Sequence, residues 1–296
     1  MHGDLTGDKV PVWGDASDLI EILDVRRSPD GSYAGVARAS RDRSVVEGSQ
    51  MLGQAIVAAG RHSPGRRAVS GHMVFVRAAD DARALTFALT DLSAGRTFSS
   101  VRVDVTQGDR LCASANLLLD STAPDVVRHE VEPPDVPGPA DCEPLDMRVT
   151  GRDIRVVDAA YSGDPDSAAG PPIIDAWVRF ERVPPDPYIH AALLAQFTGH
   201  MSIAAALRPH RGFGQDQAHR TLSTAINAIS LSLHRDVRAD RWMLYHHLST
   251  FAGDGMTHSE CRVHGEGGTL LASFSVDAMV RSFDGAVRDV PEKAVL

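Results

Sequence analysis

The sequence has few cysteines, few aromatic residues and no long apolar run. Three cysteines stand far apart, at Cys112, Cys142 and Cys261, and none belongs to a CxxC pair. This spacing supports neither a disulfide framework nor a zinc site. No stretch approaches the roughly eighteen apolar residues of a membrane helix, and residues 1–14 lack the apolar core of a signal peptide. We therefore predict a cytoplasmic protein without a membrane span, a metal or a redox cofactor.

Basic residues are too few and too scattered for a nucleic-acid surface. Asp and Glu outnumber Lys and Arg by 39 to 30, which gives a formal net charge of −9. A phosphate backbone requires a basic stripe, and none is present. The 296 residues are 43% hydrophobic and 23% charged, as in folded globular chains. That length can supply the cores of two fused domains, and we expect no nucleic-acid partner.

Proline is concentrated in one stretch near the middle of the chain. Residues 121–146 contain six prolines, which remove backbone donors and prevent regular structure. We predict an N-terminal repeat at 1–120, a Pro-rich linker at 121–150 and a C-terminal repeat at 151–296. A second turn-rich break, at 162–172, is typical of a loop within the C-terminal repeat.

The two predicted repeats show the same order of elements. Each has two strands, then a helix too apolar to lie at the surface, then a series of strands. The first repeat is predicted as strands 19–25 and 32–39, helix 48–61, and strands 68–78, 84–92, 98–105 and 111–119. The second is predicted as strands 154–160 and 173–183, helix 188–207, and strands 224–235, 242–248, 256–264 and 269–279. This duplication favours an α+β double hotdog, in which each curved antiparallel sheet wraps around one long helix; another tandem α+β fold is the alternative.

Short motifs along nearly the whole chain resemble the acyl-CoA thioesterase II family. Residues 47–55, EGSQMLGQA, are similar to its Phe-Gly-Gly-Gln and Gly-Gln-Ala signature, and residues 70–77, SGHMVFVR, to the strand that follows. Further matches follow in family order, at GRTFS (95–99), WVR (177–179), LRPH (207–210) and WMLY (242–245). The resemblance implies the double-hotdog fold and hydrolysis of a fatty acyl thioester to the free acid and coenzyme A.

The chain departs from this family at its catalytic positions. The family positions water with an Asp, a Thr and a Gln, and here Gly199, Ile226 and Val276 stand in their places. None of these three side chains can activate water. His200, Asn227 and Asp277 each lie one residue further along, but a slip of one residue turns a strand side chain to the opposite face. A noncatalytic protein that binds acyl thioesters is therefore the alternative function.

Glu47 and His200 are the candidates for a relocated catalytic base. Glu47 directly precedes the first long helix, where a carboxylate is also stabilised by the helix dipole without any catalytic role. His200 has a side chain whose ordinary pKa suits proton transfer, although a histidine on an apolar helix is more often a hydrogen-bonded core residue. A histidine with an acidic partner would also suit a hotdog dehydratase, which is a third hypothesis.

Substrate contacts are expected from polar and small residues near the two long helices. Gln50 and Gln54 are four residues apart, so they share a helix face, and they either line a polar cavity or bond to a sheet end. Arg77 and Arg235 end equivalent strands and are candidates for a coenzyme A phosphate, or are ordinary surface residues. Whether the chain forms a homo-oligomer is left open. The predicted substrate-binding residues are Gly48, Ser49, Gln50, Gln54, Arg96, Thr198 and Ser230.

Overall fold

The computed structural model describes residues 14–38, 45–147, 149–161, 169–214, 217–218 and 221–283. The first half contains helices α1 (Ala16–Leu23) and α2 (Gly48–His62) and strands β1 (Arg26–Arg27), β2 (Tyr33–Gly35), β3 (Arg67–Phe75), β4 (Leu85–Ala94), β5 (Phe98–Gln107) and β6 (Arg110–Asp120). The second half contains helices α3 (Pro187–Phe197) and α4 (Ser202–Leu207) and strands β7 (Glu143–Pro144), β8 (Arg152–Val156), β9 (Ile173–Phe180), β10 (Leu222–Leu233), β11 (Met243–Gly253), β12 (Met256–Gly265) and β13 (Leu270–Ser282).

All thirteen of these strands belong to one antiparallel sheet. Its order is β1-β2-β4-β5-β6-β3 in the first half and β10-β13-β12-β11-β9-β8-β7 in the second. The halves join where β3 pairs with β10, with Ser230 opposite His72. Each half thus supplies a meander of long strands and one long buried helix. This is the double-hotdog arrangement predicted from the internal repeat.

Helices α2 and α3 pack against each other in the core. Every residue of α2 from Ser49 to Gly60 is buried, which fits its predicted all-round apolar character. Gly53 allows the close approach, because a Cβ at that position would lie 2.9 Å from the Ala192 carbonyl oxygen and 3.5 Å from its Cβ. The helix ends with Arg61 and His62, where positive charge suits the dipole. The predicted helix at 48–61 is therefore confirmed.

The first predicted strand, at 19–25, is wrong, because most of that segment belongs to helix α1. Asp15 caps α1 by accepting from the Ser17 amide, and the Asp18 side chain accepts from the Asp15 amide to complete a capping box. Leu19 and Ile22 are buried three residues apart, which is a helical spacing. Of the predicted strand at 32–39, only Tyr33–Gly35 is a strand, and residue 39 lies outside the described residues.

The predicted helix at 188–207 is correspondingly interrupted. It consists of α3 and α4, separated by a turn at residues 198–201 in which Met201 has φ of 67°. Thr198 ends α3, where its Oγ1 donates to the Ala195 carbonyl at 2.6 Å. The interruption removes Gly199 and His200 from helical geometry, and this matters for the site below.

The Pro-rich stretch lies against the second half of the molecule. Trp177 Nε1 donates to the Pro137 carbonyl at 2.9 Å, and the Leu270 amide donates to Glu130 at 3.2 Å. The boundaries 1–120, 121–150 and 151–296 stay a prediction. Within the described residues, no helix has the length and apolar character needed to cross a bilayer.

Candidate active site

A cavity of about 840 Å³ opens where the two halves meet. The first half contributes the N-terminus of α2 and the end of β3, and the second contributes the turn between α3 and α4 and the start of β10. Its walls combine apolar side chains with a few polar groups, as binding sites commonly do. Among the lining residues are Glu47, Gly48, Ser49, Phe75, Arg77, Gly199, His200, Ile226 and Asn227.

Two glycines allow the α2 N-terminus to approach its neighbours at this cavity. A Cβ on Gly48 would lie 2.6 Å from the Phe75 ring. A Cβ on Gly199 would overlap the Ser49 hydroxyl and would lie 3.7 Å from Ile226 Cδ1. The structure thus brings together Gly199 and Ile226, two of the positions where the chain departs from the acyl-CoA thioesterase II pattern. The third, Val276, belongs to the hydrophobic core and does not line the cavity.

Beside Gly199, three polar side chains from both halves converge, and we call them the Glu47 cluster: Glu47, Gln196 and His200. The Glu47 Oε2 atom lies 3.4 Å from Gln196 Nε2 and 3.9 Å from His200 Nε2. Gln196 Nε2 is 3.3 Å from His200 Nε2. Glu47 is the N-cap residue of α2 by its backbone, yet its side chain makes no capping hydrogen bond. Its carboxylate is directed toward the second half of the molecule instead.

His200 is held neutral in this cluster. Burial lowers its pKa to about 3, and the positive charge of Arg152 acts in the same direction. This direction of the pKa shift disfavours the hypothesis that His200 is a base titrating near neutral pH. A neutral imidazole can instead accept a hydrogen bond from the Gln196 amide.

Two buried polar atoms, one within the Glu47 cluster and one beside it, have no hydrogen-bond partner in the described part of the chain. They are Ser49 Oγ and Gln196 Oε1, and both residues are fully buried. Buried polar groups are nearly always paired with protein or with ordered water. Ser49 also lines the cavity. These atoms are therefore suited to contact a water or a polar group of a substrate.

Gln50, Gln54 and Thr198, which the sequence predicts as substrate contacts, are engaged in hydrogen bonds within the protein. Gln54 Nε2 donates to the carbonyls of Ile22 at 2.8 Å and Val36 at 2.9 Å, and Gln50 Nε2 donates to Val36 at 3.2 Å. These bonds tie the segments before α2 to the helix. Neither glutamine lines the cavity, and the Thr198 hydroxyl is used in ending α3.

Ser230 and Arg96 also lie away from the cavity. Ser230 alternates with the inward-facing Ile229 and Leu231 of β10, so it lies on the outer face, where its Oγ is 2.7 Å from His72 Nδ1. Arg96 lies in the β4–β5 hairpin with an exposed side chain. Their role in binding substrate therefore stays a prediction that this cavity does not support. Of the seven residues predicted to bind substrate, Gly48 and Ser49 line it.

The other candidates from the sequence divide in the same way. Asn227 and Arg77 line the cavity. Asp277 lies 2.6 Å from His258 Nδ1 on a neighbouring strand, and Arg235 lies 4.0 Å from Asp125. Of these four residues, Asn227 and Arg77 are therefore placed to contact a ligand in this cavity.

Gln196 was missed in the sequence, although a signal for it existed. It lies four residues before His200, a spacing that places two side chains on one face of a helix. Its importance depends on Glu47, which is 149 positions away in the chain. A contact between residues so far apart in the chain cannot be recognised from the local spacing of residues in the sequence.

In the second half of the chain, the start of α3 is the position equivalent to the start of α2, and packed side chains occupy it. Asp186 caps α3 as Glu47 precedes α2, but the Arg61 guanidinium lies 3.1 Å from Asp186 and 2.6 Å from Asp24. A Cβ on Gly60 would overlap the Tyr188 ring. The internal repeat therefore places an open polar cluster at one end and a closed ion-pair network at the other.

The buried histidines predict a loss of stability below neutral pH. Burial lowers the pKa of both His200 and His247 to about 3, from an ordinary value of 6.5. Above pH 6.5 both rings are neutral in the folded and unfolded states; as the pH falls from 6.5 toward 3, only the unfolded chain takes up these protons. For each pH unit below 6.5, each histidine then lowers the unfolding free energy by up to about 1.4 kcal/mol. Urea unfolding between pH 7 and 5 should show decreasing stability.

The variant His247→Gln should reduce this loss of stability, while His129→Gln, in the exposed linker, serves as the control. Stability that stays constant between pH 7 and 5 would contradict the neutral, buried state of these rings.

Comparison with known protein families gives matches to both halves of the chain. A family model described as the acyl-CoA thioesterase N-terminal domain matches residues 38–119, and one described as the acyl-CoA thioesterase C-terminal domain matches residues 124–279. Acyl-coenzyme A thioesterase 8 of Homo sapiens is 26% identical over 261 residues, which is 79% of this chain and 80% of that protein. The Mus musculus protein of the same name is 23% identical and covers 95% of this chain and 92% of its own length.

Solved structures agree with these matches. The acyl-CoA thioesterase II TesB2 from Mycobacterium marinum superposes with a TM-score of 0.75 at 25% identity, covering 90% of this chain and all of that one. A tesB protein from Mycobacterium avium subspecies paratuberculosis has the same TM-score at 21% identity, over 90% of this chain and 99% of its own. A dehydratase domain of the curacin polyketide synthase superposes at 0.53 with 10% identity, over 89% of this chain and 96% of its own, which shows a shared fold only.

Proposed function

Since the chain belongs to the acyl-CoA thioesterase family, we propose that it hydrolyses an acyl-CoA to the free acid and coenzyme A, with the Glu47 cluster in place of the family's usual catalytic residues. The observation that carries this proposal is the convergence of Glu47, Gln196 and His200 beside Gly199 and Ile226. A carboxylate is thus restored to the region that lost one, but it comes from the other half of the chain.

Glu47 is the proposed general base. Its carboxylate takes a proton from a water, and the water oxygen attacks the thioester carbonyl carbon. The Gln196 amide and the Ser49 hydroxyl can hold that water in line, while neutral His200 holds the amide in place. When the tetrahedral intermediate collapses, the C–S bond breaks, and the proton held by Glu47 passes to the departing thiolate.

The N-terminus of α2 is the proposed oxyanion site. The first N–H groups of a helix have no partner within the helix, and the dipole there favours negative charge. Gly48 and Ser49 begin α2 and line the cavity. Their N–H groups are the proposed donors to the oxyanion that develops on the thioester carbonyl.

The rest of the cavity is suited to the acyl chain and the carrier. Apolar side chains line it, and burial of each methylene contributes about 0.8 kcal/mol to binding. Arg77, exposed at the end of β3, is the proposed contact for a coenzyme A phosphate. The apolar lining includes Met51, Met147, Met201, Ile203 and Ala204. A cytoplasmic location belongs to the same proposal.

The noncatalytic alternative has support only from the three substituted positions. Gly199, Ile226 and Val276 cannot activate water, but Glu47 provides a carboxylate in the wall of the same cavity, with the buried Gln196 amide 3.4 Å behind it. A dehydratase would need a histidine able to take up a proton near neutral pH, whereas His200 has a pKa of about 3. Hydrolysis is therefore the better-supported reaction.

Thiol release from acyl-CoAs tests the proposal. Wild-type protein is mixed with short, medium, long and branched acyl-CoAs, and free thiol and free acid are both quantified. Multiple turnovers with equal amounts of the two products are expected for at least one class of chain. Acyl-CoA binding without any release of thiol would establish the noncatalytic alternative.

A further inference from the structure

Arg152 is a buried cation behind the Glu47 cluster. It lies on β8, and its residue is 7% exposed. Its Nε and Nη1 atoms have no hydrogen-bond partner in the described ranges of the chain. An arginine buried without a full set of partners is costly, and replacement by an apolar residue of similar volume is often neutral or stabilising. Packing alone therefore does not account for a guanidinium at this position.

The surroundings of Arg152 connect it to the cluster. Its Cζ lies 5.9 Å from the centre of the Phe197 ring, and that ring is 4.9 Å from the His200 ring. Burial lowers the pKa of Arg152 to about 10, while the negative charge of Glu47 acts to raise it. Arg152 is therefore still protonated at neutral pH, and Glu47 is the acid whose charge stabilises it.

Four polar side chains of the described elements around Arg152 and the Glu47 cluster carry no charge in the interior. Gln196 on α3 is an amide, and His200 in the following turn is neutral. Tyr245 on β11 has its pKa raised well above the ordinary value by burial, and its hydroxyl donates to the Leu194 carbonyl at 3.2 Å. His247 on the same strand has a pKa of about 3. Arg77 lines the cavity but is exposed, so water screens its charge.

We propose that Arg152 is a positioning residue for the hydrolysis, supplying a buried positive charge that favours the ionised Glu47 carboxylate needed to activate the attacking water. This inference rests on the proposed function, since it assigns a role in the same reaction. Arg152 touches neither the substrate nor the water in this arrangement. It acts through Glu47, because a positive charge nearby favours the ionised form of a carboxylate.

The pH dependence of kcat/KM separates this role from a structural one. In wild type, activity falls on the acid side as Glu47 is protonated. In Arg152→Met the carboxylate loses this positive charge nearby, so the pH at which kcat/KM falls to half on the acid side should rise by about one pH unit or more. Activity at alkaline pH should be largely retained. Arg152→Lys should keep the inflection close to that of wild type. Arg262→Met, an exposed arginine on β12, is the matched control.

A double-mutant comparison checks that the effect passes through Glu47. In a Glu47→Gln background, Arg152→Met should cause no further loss of activity, because no carboxylate remains to be kept ionised. Thermal unfolding is measured for every variant, and Arg152→Gln is a second neutral replacement in case the methionine variant does not fold. The role of Arg152 would be overturned if a folded Arg152→Met or Arg152→Gln protein showed the wild-type pH dependence of kcat/KM. It would also be overturned if such a variant lost activity equally at all pH values.

The two proposals fail in different ways. If wild type hydrolyses no acyl-CoA, or if hydrolysis does not depend on Glu47, the proposed function itself is wrong. If hydrolysis depends on Glu47 and the inflection is the same with and without Arg152, only the present inference is wrong.

Discussion

Replacing Glu47 by glutamine should lower the rate of thioester hydrolysis by about 10²- to 10⁴-fold, the usual contribution of a positioned general base. Glutamine has nearly the same shape, and its amide can still contact Gln196, so the cavity should keep its form. The carboxylate makes no capping hydrogen bond to α2, and little loss of helix stability is therefore expected. Steady-state kinetics and acyl-CoA binding are measured on the same preparation, and kcat should fall while the dissociation constant changes little.

The matched control is Glu260→Gln, an exposed glutamate on β12. It should retain the wild-type rate. If Glu47→Gln hydrolyses acyl-CoA as fast as wild type, the base lies elsewhere and the Glu47 cluster is not the catalytic site.

Restoring an aspartate at position 199 should fail to improve the enzyme. In the related family this position carries the acid, but here a Cβ on residue 199 would overlap the Ser49 hydroxyl and lie 2.9 Å from the Ser49 Cβ. Ser49 cannot retreat easily, because Gly48 holds the start of α2 against the Phe75 ring. Overpacking of this kind costs about 1–3 kcal/mol. Gly199→Asp should therefore lower both the unfolding free energy and the hydrolysis rate.

Two further variants separate sterics from charge. Gly199→Ala should lose a similar amount of unfolding free energy without adding a carboxylate. Ser49→Gly combined with Gly199→Asp should recover part of the unfolding free energy that Gly199→Asp loses. Gly267→Ala is the control, since no atom lies within 4 Å of a Cβ at that position. A Gly199→Asp protein that is stable and faster than wild type would mean that the cavity can still run the family's own mechanism.

The order of elements was predictable because its signals are local. The apolar character of α2 and the alternation in β10 to β13 are each contained in a single segment of sequence. Helix α1 was misassigned because its apolar residues also fit a short strand, although Asp15 and Asp18 have the spacing of a capping box. The turn between α3 and α4 was missed because the positive φ of Met201 has no signal in the sequence.

The site was only partly predictable, for a related reason. Glu47 stood out because a charged residue replaced a small or apolar one beside a long helix. Gln50 and Gln54 looked equally suggestive, but their amides bond to backbone carbonyls of segments before α2, a tertiary contact that no helical spacing encodes. Arg152 has a sequence signal of its own: it alternates with Ile154 and Val156 on the inward face of β8, where a charge is unexpected.

The most direct test of the central claim is a crystal structure of Glu47→Gln with an intact acyl-CoA. The expected structure has the thioester carbonyl oxygen within hydrogen-bond distance of the Gly48 and Ser49 amides. A water is expected between the carbonyl carbon and residue 47, within reach of the Gln196 side chain. A thioester bound away from residues 47, 196 and 200, with the acyl chain outside this cavity, would contradict the claim that the Glu47 cluster carries out the hydrolysis.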